Sequence, residues 1–264
     1  MILKNAENPA LTSGANLRIM SFNILAELWH PKARETFEGR TTQVADVIRH
    51  FSPDVAGIQE ATSRWHNAIK THLADSYEIA SGEVYDGVTN YSTIIYNTET
   101  TELIECESIL FSIGNSDNMR NLTWARMRRK SDGAEYIVTC THWDIVPEMR
   151  EVQWEENVTL IKDIFEKYNL PIFATGDYNT TEEGFFKDFL ERTNFTDPKF
   201  TAKVVERTCK TVHPVGEMPI DDVGLCIDHI AVAGKCEVLY YNVSVNETTI
   251  NASDHFPIYI DVKI

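Results

Sequence analysis

The chain has 264 residues, room for one large domain or two small ones and enough to bury a core without disulfide or metal staples. Hydrophobic residues at 43% and charged residues at 24% are ordinary globular values and exclude a disordered or fibrous protein. The 24 Lys plus Arg against 40 Asp plus Glu leave a net charge of −16, which repels phosphate-rich polymers and anionic membranes at long range and counts against a general nucleic-acid binder.

The opening stretch MILKNAENPALTSGANL contains no continuous apolar run, and nothing later reaches the roughly 18 apolar residues of a membrane span. Cys106, Cys140, Cys209, Cys226 and Cys236 are odd in number and dispersed, without a C-x-x-C pair, which supports neither a disulfide framework nor a zinc knuckle. Reduced thiols in a cytoplasmic protein are expected, so the N-x-S/T triplets at Asn121, Asn157 and Asn179 carry little weight.

From residue 17 onward, strand-like runs alternate with helical patterns, and no repeat or linker divides them, which predicts one continuous α/β domain. Leu17–Asn23 reads as a strand. Val44, Val47, Ile48 and Phe51 then fall on one helical face, stopped by Ser52-Pro53-Asp54. Residues 54–60 form a short buried strand, followed by a helix through Trp65, Ile69 and His72. Strands are expected at 92–96, 103–111, 122–127 and 136–141, with a hairpin turn at Ser131-Asp132-Gly133. The longest helix runs from Glu148 to Tyr168, with Trp154, Val158, Ile161 and Phe165 down one side. Another buried strand covers 170–177, residues 198–225 read as irregular, and strands at 226–232, 238–243 and 256–262 close the chain. The last alternates, with Ile258, Ile260 and Val262 on one side, as a half-exposed antiparallel strand does.

One pattern recurs. Apolar strands end in a carboxylate, amide or imidazole: MSFN in Asn23, VAGIQE in Glu60, VTCTHWD in His142 and Asp144, IFATGDYN in Asp177 and Asn179, CIDHI in Asp228, and ASDHFPI in Asp254 and His255. A charge at the rim of a buried strand is costly unless paired or bound to a metal, and in α/β sheets functional groups gather at strand ends. Any one of these residues is explained as a cap or turn; six such sites in one chain are not.

The ordered set SFN, QE, THWD, GDYN, DHI and SDH resembles the endonuclease/exonuclease/phosphatase superfamily over residues 17–264. The resemblance implies a deoxyribonuclease-I-like fold: a four-layer α/β sandwich of two packed mixed β-sheets flanked by helices. The set is closest to small bacterial-type members. It also implies a Mg²⁺- or Mn²⁺-dependent hydrolase of phosphate esters. Glu60 resembles the family's metal-binding glutamate, Asn23 the amide beside it, and Asp254 a second carboxylate at or near the metal. Asp177 resembles the residue that positions and deprotonates the attacking water. Asn179, two residues on and so on the same side if the strand persists, would bond the same phosphate. His255 resembles the catalytic histidine with Asp228 fixing its tautomer and favouring its charge, and His142 resembles a second phosphate-facing histidine. His30, His50, His66, His72, His213 and His229 read as structural, with His229 directed away from Asp228 by strand alternation. No Gly-rich phosphate loop, dinucleotide fingerprint or G-x-S-x-G elbow occurs.

Substrate choice is less legible. Arg126, Arg128, Arg129 and Lys130 form the one dense basic cluster and read first as a solvated hairpin tip. Arg40 and Arg120 precede matched segments and could enter the cleft, while Arg150 could as easily pair with Glu151, Glu155 or another acid on the surface. Trp29, Trp124, Trp143 and Tyr178 adjoin the motifs; packing is their ordinary role, and Trp143 and Tyr178 are also candidate substrate contacts. The DHI segment lacks the tryptophan and arginine of inositol-polyphosphate 5-phosphatases, the C-terminal half lacks the tryptophan-rich segment of abasic-site endonucleases, and the chain is short and acidic beside the poly(A) deadenylases its SFNILAE opening resembles. The expected substrate is a small organic phosphate or phosphodiester, with a nuclease using the same catalytic set as the alternative.

Overall fold

A computed structural model describes residues 9–28, 31–80, 92–114, 119–208, 210–216 and 224–264; Trp29, His30 and Cys209 lie outside the described residues. In chain order the elements are β1 (Leu17–Asn23), α1 (Pro31–Glu35), α2 (Phe37–Phe51), β2 (Val55–Gln59), α3 (Ser63–Leu73), β3 (Tyr77–Ala80), β4 (Thr93–Asn97), β5 (Thr101–Leu110), β6 (Asn121–Arg129), β7 (Glu135–His142), α4 (Pro147–Tyr168), β8 (Ile172–Asp177), α5 (Phe185–Thr193), α6 (Pro198–Thr201), β9 (Val204–Arg207), β10 (Asp228–Ala233), β11 (Glu237–Val243), α7 (Thr249–Ala252) and β12 (Ile258–Lys263).

Local chemistry sets most boundaries. α2 ends where Ser52 turns left-handed and returns its N–H to Ile48 O, with Pro53 barring continuation. Thr62 caps α3 by accepting from the Trp65 N–H. α4 opens on Pro147, one residue before the predicted start, and closes on left-handed Asn169. Its buried stripe runs through Trp154, Val158, Ile161 and Ile164, leaving Phe165 half-buried. On α3, Leu73 rather than His72 completes the buried face. At the β6–β7 turn, Gly133 adopts φ +77° and Asp132 Oδ1 accepts from the Ala134 N–H.

The strands form a seven-stranded sheet, β3-β4-β2-β1-β12-β11-β9, and a five-stranded sheet, β10-β8-β7-β6-β5. Each is mixed in the same way: β1 runs parallel to β2 and antiparallel to β12, and β8 runs parallel to β7 and antiparallel to β10. One cluster, including Leu17, Ile19, Val138, Phe173, Ile230 and Ile260, fills the space between the sheets. A second packs Met20, Phe22 and Ile58 against Val44 and Ile48 of α2 and Trp65 of α3. A third packs Ile137, Ile172 and Ala174 against Val158 and Ile161 of α4 and Phe186 and Phe189 of α5. Four layers result, α/β/β/α, as expected.

The last strand is not half-exposed. β12 lies inside its sheet between β1 and β11, with Ile258, Ile260 and Val262 in the inter-sheet core, Tyr259 against the helices and Asp261 buried. Its polar residue is matched: Arg18 gives Nε to Asp261 Oδ1 at 2.6 Å and Nη2 to Oδ2 at 2.9 Å. The stretch read as irregular contains α6 and β9, and β3 and α5 were not foreseen. Among the described residues, no helix is long and apolar enough to cross a membrane, and Cys106, Cys140, Cys226 and Cys236 are unpaired.

Candidate active site

The sheet topology gathers the strand-end groups. β1 and β2 end at Asn23 and Gln59, with Glu60 next, and β12 begins just after Asp254 and His255. In the facing sheet β7 and β8 end at His142 and Asp177, which are register partners, and Asp228 opens β10 opposite Asp177. Alternation supplies the direction. Ile19, Val138 and Cys140, Phe173, and Ile230 face the inter-sheet core, and Asn23, His142, Asp177 and Asp228 share their parity. The polar groups thus crown the mouth of the inter-sheet layer. Beneath them Gln59 Nε2 donates to Ser21 Oγ and Cys140 Sγ, each at 3.2 Å.

The contacts are direct. Asn23 Nδ2 donates to Asp177 Oδ2 at 3.0 Å and to Glu60 Oε1 at 3.2 Å. The Ala26 N–H holds Glu60 Oε2 at 2.6 Å. His142 Nε2 lies 3.3 Å and His255 Nε2 3.8 Å from Asp177 Oδ2, and His255 Nδ1 donates to Asp228 Oδ2 at 2.8 Å. Asn179 departs from the expected extended geometry: the strand stops at Asp177 and Asn179 turns to φ +49°. Its N–H then caps Asp177 Oδ1 at 3.0 Å and its Nδ2 bonds Trp143 O at 2.8 Å. Leu25 (φ +57°) and Glu60 (φ +63°) are also left-handed. Three side-chain-bearing residues in this strained region, all beside the same pit, indicate a geometry held in place by its surroundings.

The two histidines differ in charge. Burial drives His142 well below the ordinary imidazole range, with Arg120 and His255 adding to the effect, so it is neutral. For His255 the burial penalty is overcome by Asp228, then by Asp177 and Asp254, so it is an imidazolium. Burial, with the Asp228 charge behind it, raises Asp177 to about 7. Burial and then Asp254 raise Glu60. A paired histidine with one partner fixing its far nitrogen, facing a carboxylate poised near neutrality, is an arrangement suited to proton transfer.

The other candidates separate. Arg120 is 4% exposed, its Nε lies 3.9 Å from Asp144 Oδ2, and neither Nε nor Nη1 makes a hydrogen bond among the described residues; it feels the charges of Glu60, Asp144 and Asp177. It therefore sits at the pit with unspent donors. Arg40 feels the charges of Asp254 and Glu60, but its Nη1 and Nη2 are spent on the carbonyls of Ile24, Leu25, Ala33 and Ala252, clamping backbone behind Glu60. Trp143 and Tyr178 are fully buried and pack edge to face in the α4–α5 core, so neither reaches a substrate; each follows a pit residue by one position and faces the other way. Trp124 is likewise buried, its indole directed at Glu107. Among the described residues Arg150 pairs with no acid; it donates Nη1 to Asn179 O at 2.8 Å and to Asp144 O and Ile145 O at 3.4 Å, tying two pit loops together. The basic cluster is remote, at the far end of β6 and β7, and its arginines bond Glu135, Glu102 and Asp132. His229 stacks on Phe186 and bonds Thr180 O, away from Asp228.

Two further side chains support the pit. Ser253 Oγ donates to Asn23 O at 2.6 Å and accepts the His255 N–H, and Gln153 Oε1 accepts the Asp144 N–H at 2.7 Å. The first lies inside the SDH motif; the second, on a helix, left no local signal.

A divalent cation suits Glu60 and Asp254, part-exposed carboxylates close enough that the charge of one raises the pKa of the other; hard cations take such oxygen donors with waters completing the shell. Asp177, Asp228 and His255 also offer ligand atoms within 4.8 Å of one another. There, however, Nδ1 of an imidazolium is committed to Asp228, and a doubly protonated ring has no lone pair for a metal. The trio is better suited to holding protons.

A family model described as Endonuclease/Exonuclease/phosphatase family matches residues 20–255. No curated protein sequence matches the chain. Among solved structures, a mannosyl-6-phosphatase from Bacteroides thetaiotaomicron superposes with a TM-score of 0.82 at 22% identity, covering 94% of this chain and 100% of that one. The human Nocturnin catalytic domain with a bound sulfate anion gives 0.71 at 17%, covering 96% and 95%. D. rerio TDP2 with a single-strand DNA product gives 0.70 at 16%, covering 94% and 99%.

Proposed function

The chain belongs to the endonuclease/exonuclease/phosphatase family, and from that premise we propose that it is a single-domain, divalent-metal-dependent phosphoesterase of the cytoplasm that hydrolyses a small organic phosphate or phosphodiester. The observation that carries the reading is Arg120: a buried guanidinium among carboxylates, with two nitrogens that make no hydrogen bond, is incomplete until an anion with oxygen acceptors enters. The mannosyl-6-phosphatase and the sulfate-bound Nocturnin domain lend support as relatives in fold.

In this reading Arg120 and Asn179 orient the phosphate. Asp177, raised to about 7, orients the attacking water and takes its proton, with Asn23 and the Asn179 N–H holding the carboxylate. His255, held as imidazolium by Asp228, stabilises charge on the phosphate and gives its Nε2 proton to the leaving oxygen. Neutral His142 positions Asp177 and offers a hydrogen bond without adding charge. Glu60 and Asp254, assisted by Asn23, would hold Mg²⁺ or Mn²⁺, which supplies neutralisation of the phosphate charge and a more acidic water.

The test is a panel of nucleotides, sugar phosphates, headgroup esters and DNA, each with Mg²⁺, Mn²⁺ or EDTA. Turnover should vanish with EDTA and return with metal, and Asp177→Asn should lower kcat about 10²–10⁴-fold with its circular dichroism unchanged. Turnover that survives EDTA, or an Asp177→Asn enzyme at full rate, refutes the reading. The DNA product in the TDP2 structure is the one observation favouring a nuclease; plasmid nicking with a steep salt dependence would establish that alternative.

A further inference from the structure

Among the described residues, exposed aliphatic side chains stand in three of the loops that carry pit residues and form an apolar part of its rim. Ile145 is 70% and Val146 37% exposed, Leu225 60% and Leu28 41%. Single exposed aliphatic residues are unremarkable on a protein surface, but grouped ones mark contact sites, and these are tied by hydrogen bonds to the pit itself. Ile145 and Val146 follow Asp144, whose Oδ1 accepts the Val146 N–H at 2.9 Å, and Arg150 bridges Ile145 O to Asn179 O. Leu225 O accepts the Thr211 N–H at 3.0 Å, and Thr211 Oγ1 accepts the Asp228 N–H at 3.2 Å. Leu28 follows the turn whose Ala26 N–H binds Glu60. The three groups thus stand beside Asn179, Asp228 and Glu60 respectively. Next to Leu225, the aliphatic stem of Lys210 lies along Gly224, extending the apolar wall. Arg120, the arginine at the pit, is itself buried, and Arg150 spends Nη1 on the backbone carbonyls of these loops.

We propose that this rim is the subsite for the alcohol portion of the substrate, and that the alcohol is a small apolar group, alkyl or aryl, rather than a sugar or nucleoside. The inference rests on the phosphoesterase reading of the pit and deepens it. A sugar or nucleoside exchanges its hydration for hydroxyl and amide partners, whereas Leu28, Ile145, Val146 and Leu225 offer hydrocarbon. An apolar alcohol covers them and removes both surfaces from water.

The experiment measures kcat/KM for a water-soluble series of alkyl phosphates, methyl to hexyl, and the matching methyl alkyl diesters, beside glucose 6-phosphate, mannose 6-phosphate and AMP, all with Mg²⁺ or Mn²⁺. We expect kcat/KM to rise about two- to fourfold for each added methylene, the range between partial and full cover, and the longer esters to exceed the sugar phosphates and AMP. Ile145→Ser and Leu225→Ser, exposed positions where folding is not at stake, should each lower the hexyl-to-methyl ratio at least about threefold. Leu11→Ser, an exposed leucine at the opposite end of the molecule, should leave that ratio unchanged. A flat series, a ratio insensitive to both rim variants, or a panel led by sugar phosphates or AMP overturns the proposal while leaving metal-dependent hydrolysis of the methyl ester intact. No turnover of any ester removes the phosphoesterase reading and this inference with it.

Discussion

Asp228 accepts from His255 at 2.8 Å and its charge is the leading influence that holds the ring protonated against burial. The same charge raises Asp177, so one carboxylate sets two protonation states in opposite senses. Asp228→Asn preserves shape and removes the charge. The His255 pKa should then fall, because the burial penalty is left with less to oppose it, and Asp177 should titrate lower. An NMR titration of His255 would show the imidazolium lost at lower pH than in the wild type, with kcat reduced about 10²–10⁴-fold. An unshifted titration would remove Asp228 from this role. Residue parity also separates what the sequence revealed from what it obscured. His142 and Asp177 were legible as strand ends, whereas Trp143 and Tyr178, one position on, borrowed significance from their neighbours although alternation turns them into the helix-side core. The left-handed turn at Asn179 depends on the Asp177 cap and Trp143 O, partners that no local pattern announces.

At the scale of elements, long runs with both faces covered were readable because apolar residues occupied both parities, as in β1 and β8. The four-residue edges β3 and β9 and the single-turn α6 are too short for periodicity to register. β2 carries a constraint visible only in three dimensions. A Cβ at Gly57 would overlap Thr175 Oγ1 and lie 3.2 Å from Cys140 Cβ across the sheet interface. Gly57→Ala should force the sheets apart locally and cost about 1–3 kcal/mol in chemical denaturation; unchanged stability would show that the interface yields freely. α6 offers a pH test. Its N-cap Asp197 accepts the Lys199 N–H through Oδ1 at 2.8 Å, while Oδ2 is buried without a partner, and burial raises the group to about 6. A raised folded-state pKa means that the stabilising proton is fully bound below the unfolded value near 4 and is lost as pH rises through about 6. Asp197→Asn should therefore match the wild type at pH 4 and exceed it by about 1–3 kcal/mol at pH 7.5, as denaturation at the two pH values would show. A difference independent of pH would contradict this.

Across the whole molecule, buried charge stands at both ends of the sandwich. The end opposite the pit is pinned by Arg18, which bonds Asp261, Phe51 O, Pro9 O and Ala10 O, while Asp54 takes its N–H. Removing it strands a buried carboxylate, so Arg18→Met should cost about 3–5 kcal/mol, and Asp261→Asn in the same background should recover part of the loss. Full stability of the single variant would make the pair dispensable. The α/β/β/α layering was legible only through the family that the six ordered motifs resemble. The motifs could not give the sheet edges or the rim, whose residues obey no periodicity.

The pit is divided between the two sheets: Asn23, Glu60, Asp254 and His255 come from one, and His142, Asp177 and Asp228 from the other. Whatever fills it acts as a rivet through the sandwich, so affinity and cohesion are linked quantities. Occupancy tightens the fold by mass action, and any lesion that lets the leaves slip, however distant from the chemistry, is felt as a weaker grip.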